Sequence, residues 1–179
     1  MIKTKRDLEE YLLVDETANH FNKSFLGLFD LRKKFFRRLR KTEYLNNHCN
    51  GLFGKLHLNV SKFLLYRLTQ KTGYEIPLNS FGKGLRIPHY GSIIVNSSSR
   101  FGDDCLLQSG VNISENCIGG NHIFFGAGSK ILSNVKMGND IIIGANAVVT
   151  KSFDNDNIVL AGVPAKKISD NGWKERVKI

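Results

Sequence analysis

From Phe101 to Asp154 the sequence divides into nine consecutive sixes, FGDDCL, LQSGVN, ISENCI, GGNHIF, FGAGSK, ILSNVK, MGNDII, IGANAV and VTKSFD, with no residue inserted or lost. The first positions read Phe101, Leu107, Ile113, Gly119, Phe125, Ile131, Met137, Ile143 and Val149, so eight of the nine are large and apolar. The fifth positions read Cys105, Val111, Cys117, Ile123, Ser129, Val135, Ile141, Ala147 and Phe153. An α-helix of about 3.6 residues per turn cannot hold a strict period of six on one face. A parallel β-helix can, because each six is one short strand and one turn, and three sixes close a coil. Glycine at the second position of five sixes, 102, 120, 126, 138 and 144, is expected where the backbone turns tightly or takes positive φ.

Traced backwards, the period gives Val95 and then slips: the next first position is Ile87, eight residues earlier, followed by Phe81 at the normal six. One turn therefore holds two extra residues, within IPHYGSII, residues 87–94, and it contains His89. Insertions in a solenoid leave the stacked core undisturbed and emerge on the surface, where binding and catalytic groups concentrate. With three sixes per coil, residues 107–112 stack on this excursion, which makes Gln108, Ser109 and Asn112 candidate substrate-binding neighbours of His89.

Residues 1–75 follow a different rule and read as helices over Lys3–Asp15, Asp30–Asn47 and Leu52–Thr72. In the third, Leu52, Leu56, Val60, Phe63, Leu64 and Leu68 recur every three to four residues. Gly73 stands where the helix needs a residue tolerant of positive φ, and Pro77 ends the pattern. The expected organisation is a helical region over 1–75, a β-helix over 76–168 and a C-terminal tail over 169–179, with Trp173 packing back on the prism.

The net charge of +10 is lopsided, since residues 1–75 hold +7 of it and RKKFFRRLRK, residues 32–41, holds seven basic residues. Phe35, Phe36 and Leu39 in that run have helical spacing, which reads as a buried stripe under a solvated basic face. The same run also suits a polyanion or, through peripheral association of helix 32–41, an anionic membrane surface. The concentration of charge in one helix does not make a nucleic-acid-binding domain of the chain.

Composition excludes a disordered chain, with 41% hydrophobic and 23% charged residues. The charged start MIKTKRDLEEY is unlike a signal peptide, and no apolar run approaches a membrane span, so a cytoplasmic location is expected. Cys49, Cys105 and Cys117 form no CxxC pair, and Cys105 and Cys117, twelve residues apart, fall on different prism faces as buried thiols. His20, His48, His57 and His122 show no metal-ligand spacing, and no metal is expected.

Four segments carry a resemblance. FGKGLRIPHYGSIIVN, FGAGSKIL, IGANAVVTKSF and AGVPAKKI occur in the order seen in hexapeptide-repeat acyltransferases, and the chain resembles the serine acetyltransferase-like branch that includes surface-polysaccharide O-acetyltransferases. The resemblance implies an all-β left-handed parallel β-helix after an α-helical N-terminal region, a homotrimer, and acetyl-CoA lying in a groove between neighbouring prisms. It makes His89 the catalytic general base, consistent with an imidazole being matched to hydroxyl deprotonation near neutral pH. It also makes Gly126, Ala127, Gly144 and Ala145 positions against which the pantetheine arm lies, and Thr150, Lys151 and Lys166 positions near the nucleotide end. Each small residue reads equally as a tight coil turn, and each lysine as a solvated surface charge. A tetrahedral oxyanion would need donors from backbone N–H groups or from Asn112.

The chain departs from the serine-acetylating pattern in three places. Pro88 stands where those enzymes carry an aspartate before the catalytic histidine. SENCIGGN is short and in phase where they extrude a loop bearing a second histidine. The aspartate that orients the imidazole has no clear counterpart, with Tyr74 and Glu75 in that region. An ammonium-bearing acceptor would lose a charged hydrogen bond of about 1.5–3 kcal/mol. The expected activity is therefore acetyl transfer to a hydroxyl of a surface-polysaccharide sugar or its precursor. Serine O-acetylation is the alternative, and a non-catalytic hexapeptide-repeat protein recruited to a polyanion or membrane is a second.

Overall fold

The computed structural model describes residues 1–21, 27, 29–48 and 50–173. Three helices, α1 (Lys5–Ala18), α2 (Leu31–His48) and α3 (Gly51–Thr72), precede a left-handed parallel β-helix of about five coils. Thr4 caps α1, accepting from the Asp7 N–H while the Asp7 carboxylate accepts from the Thr4 N–H. Helix α3 ends on Gly73 at φ 77°, and the first strand starts at once with Tyr74.

The prism has three faces of stacked short strands. The first face stacks Tyr74–Glu75, Ile93–Val95, Asn112–Ile113, Lys130–Ile131 and Val148–Val149. The second stacks Arg100–Phe101, Ile118–Gly119 and Lys136–Met137. The third stacks Leu106–Leu107, Phe124–Phe125, Ile142–Ile143 and Val159–Gly162, and Ala165–Ser169 folds back antiparallel to close it. Partners such as Ile113 and Ile131, or Leu107 and Phe125, stand three sixes apart, as the period requires.

First and fifth positions point inward and form the core, but the period breaks in the last six: Phe153, read as a fifth position, pairs with the first-position Met137 sixteen residues earlier and is only partly buried. The exception at the first position, Gly119, is explained by its neighbour: a Cβ there would lie 2.4 Å from the Phe101 ring, which fills the space. Second-position glycines serve close coil stacking and do not take positive φ. A Cβ on Gly126 would meet the Ile143 carbonyl at 2.6 Å. Positive φ falls on the fourth position, at Asp104, Gly110, Asn116, His122, Gly128, Asn134, Asp140 and Asn146. Gly, Asn and Asp tolerate that region best, which is why the fourth column is rich in them.

The helices close the open first end of the prism, and the basic run of α2 does so from inside the protein. Phe35, Phe36 and Leu39 are buried as the spacing predicts, but Arg40 is fully buried as well, so the run is not simply a solvated face. Its Nε donates to Asp15 Oδ2 at 2.7 Å, and its Nη1 to Glu43 Oε2 at 2.9 Å and to the Phe81 carbonyl at 3.0 Å. Its Nη2 donates to the Gly82 carbonyl at 2.5 Å. Asp15 in turn accepts from the N–H groups of Gly84 and Leu85, and Glu43 from that of Asn79. One guanidinium thus joins α1, α2 and the first coil. The apolar pattern of α3 located the helix but not its inner face. Leu58, Ser61, Leu65 and Thr72 are buried, Ser61 sharing a 2.7 Å hydrogen bond with Thr42, while Leu52, Leu56, Val60, Phe63 and Leu64 are exposed.

At the other end, Trp173 packs on the prism, its ring 5.9 Å from that of Phe124, and its backbone N–H donates to the Asp140 carbonyl. Cys105 and Cys117 are buried and unpaired, and burial pushes the Cys105 thiol up to about 12. Replacing Arg40 with alanine leaves Asp15 and Glu43 as uncompensated buried charges, and the expected loss is about 3–5 kcal/mol in urea unfolding.

Candidate active site

The expansion at residues 87–94 is visible in the register. Phe81 pairs with Phe101 and Arg86 with Leu106, an offset of twenty residues, whereas Val95 pairs with Ile113, an offset of eighteen. The two extra residues therefore lie between Arg86 and Val95, at the corner where the third face turns into the first. His89 is on this excursion and its side chain is exposed.

The excursion is held from outside the solenoid. Asn19, at the end of α1, accepts from the Ile87 N–H at 2.9 Å and donates to the Leu85 carbonyl at 2.8 Å. Arg32, in the first turn of α2, donates from Nη1 to the Pro88 carbonyl at 2.5 Å. Its guanidinium is fixed by Asp30 at 3.1 Å and lies 5.5 Å from the Phe21 ring centroid and 5.7 Å from that of Tyr90. Tyr90 completes the clamp by donating its hydroxyl to Asp30 at 3.2 Å. Burial alone would raise the Asp30 carboxyl, but the hydrogen bonds and charge of Arg32 outweigh it and hold the group below its ordinary value.

Tyr74 donates its hydroxyl to the His89 carbonyl at 2.9 Å. Burial pushes this phenol well above its ordinary range, so it stays a neutral donor near neutral pH. Glu75, the other residue in that region, pairs across to Ile94 on the first face and is exposed. No described residue hydrogen-bonds the His89 ring, so what the surroundings fix is the backbone on either side of it.

Gly91 lets the excursion rejoin the stack. Its φ is 141°, and a Cβ there would stand 3.0 Å from that of Ser109. Above it the corner continues as a ladder: the Gly110 N–H donates to the Ser92 carbonyl, Gly128 to Ser109, and Asn146 to Ala127. Ser109 and the pairs Gly126–Ala127 and Gly144–Ala145 therefore stack at the corner that carries His89. Gln108 belongs to the same corner, following Leu107, whose N–H donates to the Arg86 carbonyl. Lys166 stands opposite Ala161 in the closing hairpin, at the far end of this column. Above Gln108 and Ser109, the Gly–Ala pairs carry nothing larger than a methyl group, leaving a smooth ridge. The glycines themselves are accounted for by coil stacking; the exposed methyl groups of Ala127 and Ala145 form the surface.

Three expected site residues lie away from the column. Asn112 faces Ile94 on the first face and lines a polar groove of about 490 Å³ with Glu75, Asn96 and Glu115. Thr150 and Lys151 follow Val149 into the next corner, where the Lys151 ammonium lies 5.7 Å from the Phe153 ring centroid. His122 sits at the third corner, with Nδ1 3.0 Å from Asp140 and Nε2 3.6 Å from Asp104. Among the described residues no group of three or more His, Cys, Asp and Glu side chains could hold a metal ion.

The sequence reading did not single out Asn19, Asp30 or Arg32. Arg32 was legible only as one charge in a basic run, and nothing local to Asn19 or Asp30 marks a partner nearly seventy and sixty residues away.

Solved structures of serine acetyltransferases share this fold. The enzyme from Brucella abortus strain S19 matches with a TM-score of 0.73 at 22% identity, over 93% of this chain and 71% of its own. Soybean serine acetyltransferase complexed with serine matches at 0.72 and 18%, over 92% and 70%. A serine acetyltransferase in complex with CoA matches at 0.69 and 21%, over 92% and 71%. No family model and no curated protein matches the sequence.

Replacing Gly91 with alanine forces a side chain into a backbone region it rarely adopts and against Ser109. The expected cost is about 1–3 kcal/mol in thermal or urea unfolding, because the turn must shift to relieve it.

Proposed function

We propose that this chain is an acetyl-CoA-dependent O-acetyltransferase in which His89 is the general base. The observation that carries the reading is the position of His89: on the one expanded turn, at the foot of a corner ridge built from Ser109, Gly126, Ala127, Gly144 and Ala145. The ridge suits the pantetheine arm, with Lys166 at its far end toward the phosphates; Thr150 and Lys151, at the next corner, would meet the nucleotide end if another prism of a homotrimer lies alongside. Acetyl-CoA supplies an acetyl group already activated as a thioester. His89 accepts the proton of the acceptor hydroxyl as the oxygen–carbon bond forms and the carbon–sulfur bond breaks, and the proton then passes to the departing thiolate. Holding the Pro88 and His89 carbonyls through Arg32 and Tyr74 limits where the imidazole can swing, which favours an attack-ready geometry. Gln108 and Ser109 supply amide and hydroxyl groups beside the turn for the acceptor.

For the acceptor, the solved neighbours support L-serine better than the saccharide expected from the sequence, since they are serine acetyltransferases. The saccharide reading stands second on one observation. Pro88 brings no carboxylate to the turn, and Asp30, the carboxylate clamped there, is engaged by Arg32 and by the Tyr90 hydroxyl. An amino-acid ammonium would have to compete for it.

The test is thiol release from acetyl-CoA with L-serine and with activated or oligomeric sugars. His89→Ala is expected to lose about 10²- to 10⁴-fold in turnover while still binding CoA. Stimulation by serine alone selects the first acceptor, and stimulation by a sugar the second. Release that is unchanged in His89→Ala, or absent with every acceptor, contradicts the proposal.

A further inference from the structure

Helix α3 turns a second apolar face away from the protein. Leu52, Phe53, Leu56, Val60, Phe63, Leu64 and Tyr66 are exposed, Phe53 by as much as 86%. At about 100° per residue these seven occupy one side of the helix, opposite Leu58, Ser61 and Leu65, which pack inward. A helix that is apolar on both sides normally has a second environment to fill. Between α2 and α3 runs a groove of about 500 Å³ with Phe63, Leu64 and Leu68 among its lining residues and basic side chains from both helices.

The excess positive charge of the molecule belongs to the same two helices. Residues 31–72 contain eleven Lys and Arg and a single acid, Glu43, which is consumed by Arg40, while the rest of the chain balances 15 basic against 15 acidic residues. Helix α3 itself carries Lys55, Lys62, Arg67 and Lys71 and no acid. Arg38, Lys41, Arg67 and Lys71 form no ion pair with any described residue.

These two features select the occupant. A second copy placed face to face would set one basic rim against another, and a nucleic acid would leave the aliphatic side chains unburied. The exposed apolar residues run from Leu52 to Tyr66, about 21 Å along a helix that rises about 1.5 Å per residue, an extended strip suited to a plane rather than a pocket. An anionic bilayer surface accepts both components, taking apolar side chains at the headgroup and acyl boundary and pairing lipid phosphates with the flanking lysines and arginines. We propose that α3, with the basic edge of α2, docks this protein onto anionic phospholipid membranes. Sequence spacing pointed to helix 32–41 alone; the structure supplies the apolar half of the contact from α3. The proposal is independent of acetyl transfer, because none of the α3 apolar residues, nor Arg38, Lys41, Arg67 or Lys71, lies at the His89 corner.

Co-sedimentation tests it, using phosphatidylcholine vesicles with and without phosphatidylglycerol, at about 0.1 M and about 1 M salt. The full chain is expected to sediment with the phosphatidylglycerol vesicles at low salt, and at least tenfold less with phosphatidylcholine alone or at high salt. Arg38→Gln with Lys71→Gln should weaken binding about fivefold per charge, and Phe53→Ser with Phe63→Ser more than tenfold. Circular dichroism and CoA binding, unchanged in both variants, would show that the fold persists. Failure to sediment with either vesicle, or equal binding to both, would overturn the proposal. So would a lower oligomer mass in the serine variant without any vesicle binding, since another copy would then cover the face.

Discussion

The structure depends on Arg40. A solenoid repeats its own hydrogen bonds from coil to coil, but its first coil has no coil beneath it, and its carbonyls must find other donors or remain unsatisfied. The Arg40 guanidinium supplies them to Phe81 and Gly82 while Asp15 and Glu43 neutralise its charge and accept from the backbone of residues 79–85. The helices are thereby the cap of the prism. A buried ion network contributes little net stability against an apolar replacement, yet it fixes one arrangement, because any other leaves buried charges unpaired.

That arrangement determines the His89 turn. With α1 and α2 locked on the first coil, Asn19 and Arg32 reach the segment from Leu85 to Pro88, and Tyr74, at the end of the helical region, reaches the His89 carbonyl. The regular coils supply the ridge and the expanded coil supplies the histidine, and the helical region sets one against the other. The same helices present the basic and apolar surface of α2 and α3 on their outer side.

The repeating part of this molecule was legible because its physics is periodic. A six-residue period leaves a column of apolar residues that needs no distant information, and the two-residue slip at Ile87 marks the excursion in the sequence itself. Positive φ at the fourth column is written in the same sixes as Asp, Asn and Gly, whereas the second-column glycines answer to close stacking instead. The helices were legible as helices, but not their orientation. In α3, two apolar faces compete, and the one that packs inward carries Leu58 and Leu65 with Ser61, which bonds Thr42 of α2. The clamp of Asn19, Asp30 and Arg32 could not be read at all, since its contacts to the turn span 56 to 68 residues and none repeats.

In the proposed reaction the corner carrying His89 is where the thioester is held. A crystal structure of the protein with CoA tests this most directly. The account predicts the CoA sulfur within reach of the His89 imidazole and the pantetheine arm running past Ser109, Ala127 and Ala145 toward Lys166. CoA bound in the polar groove of the first face, or at the His122 corner with the His89 turn empty, would contradict it.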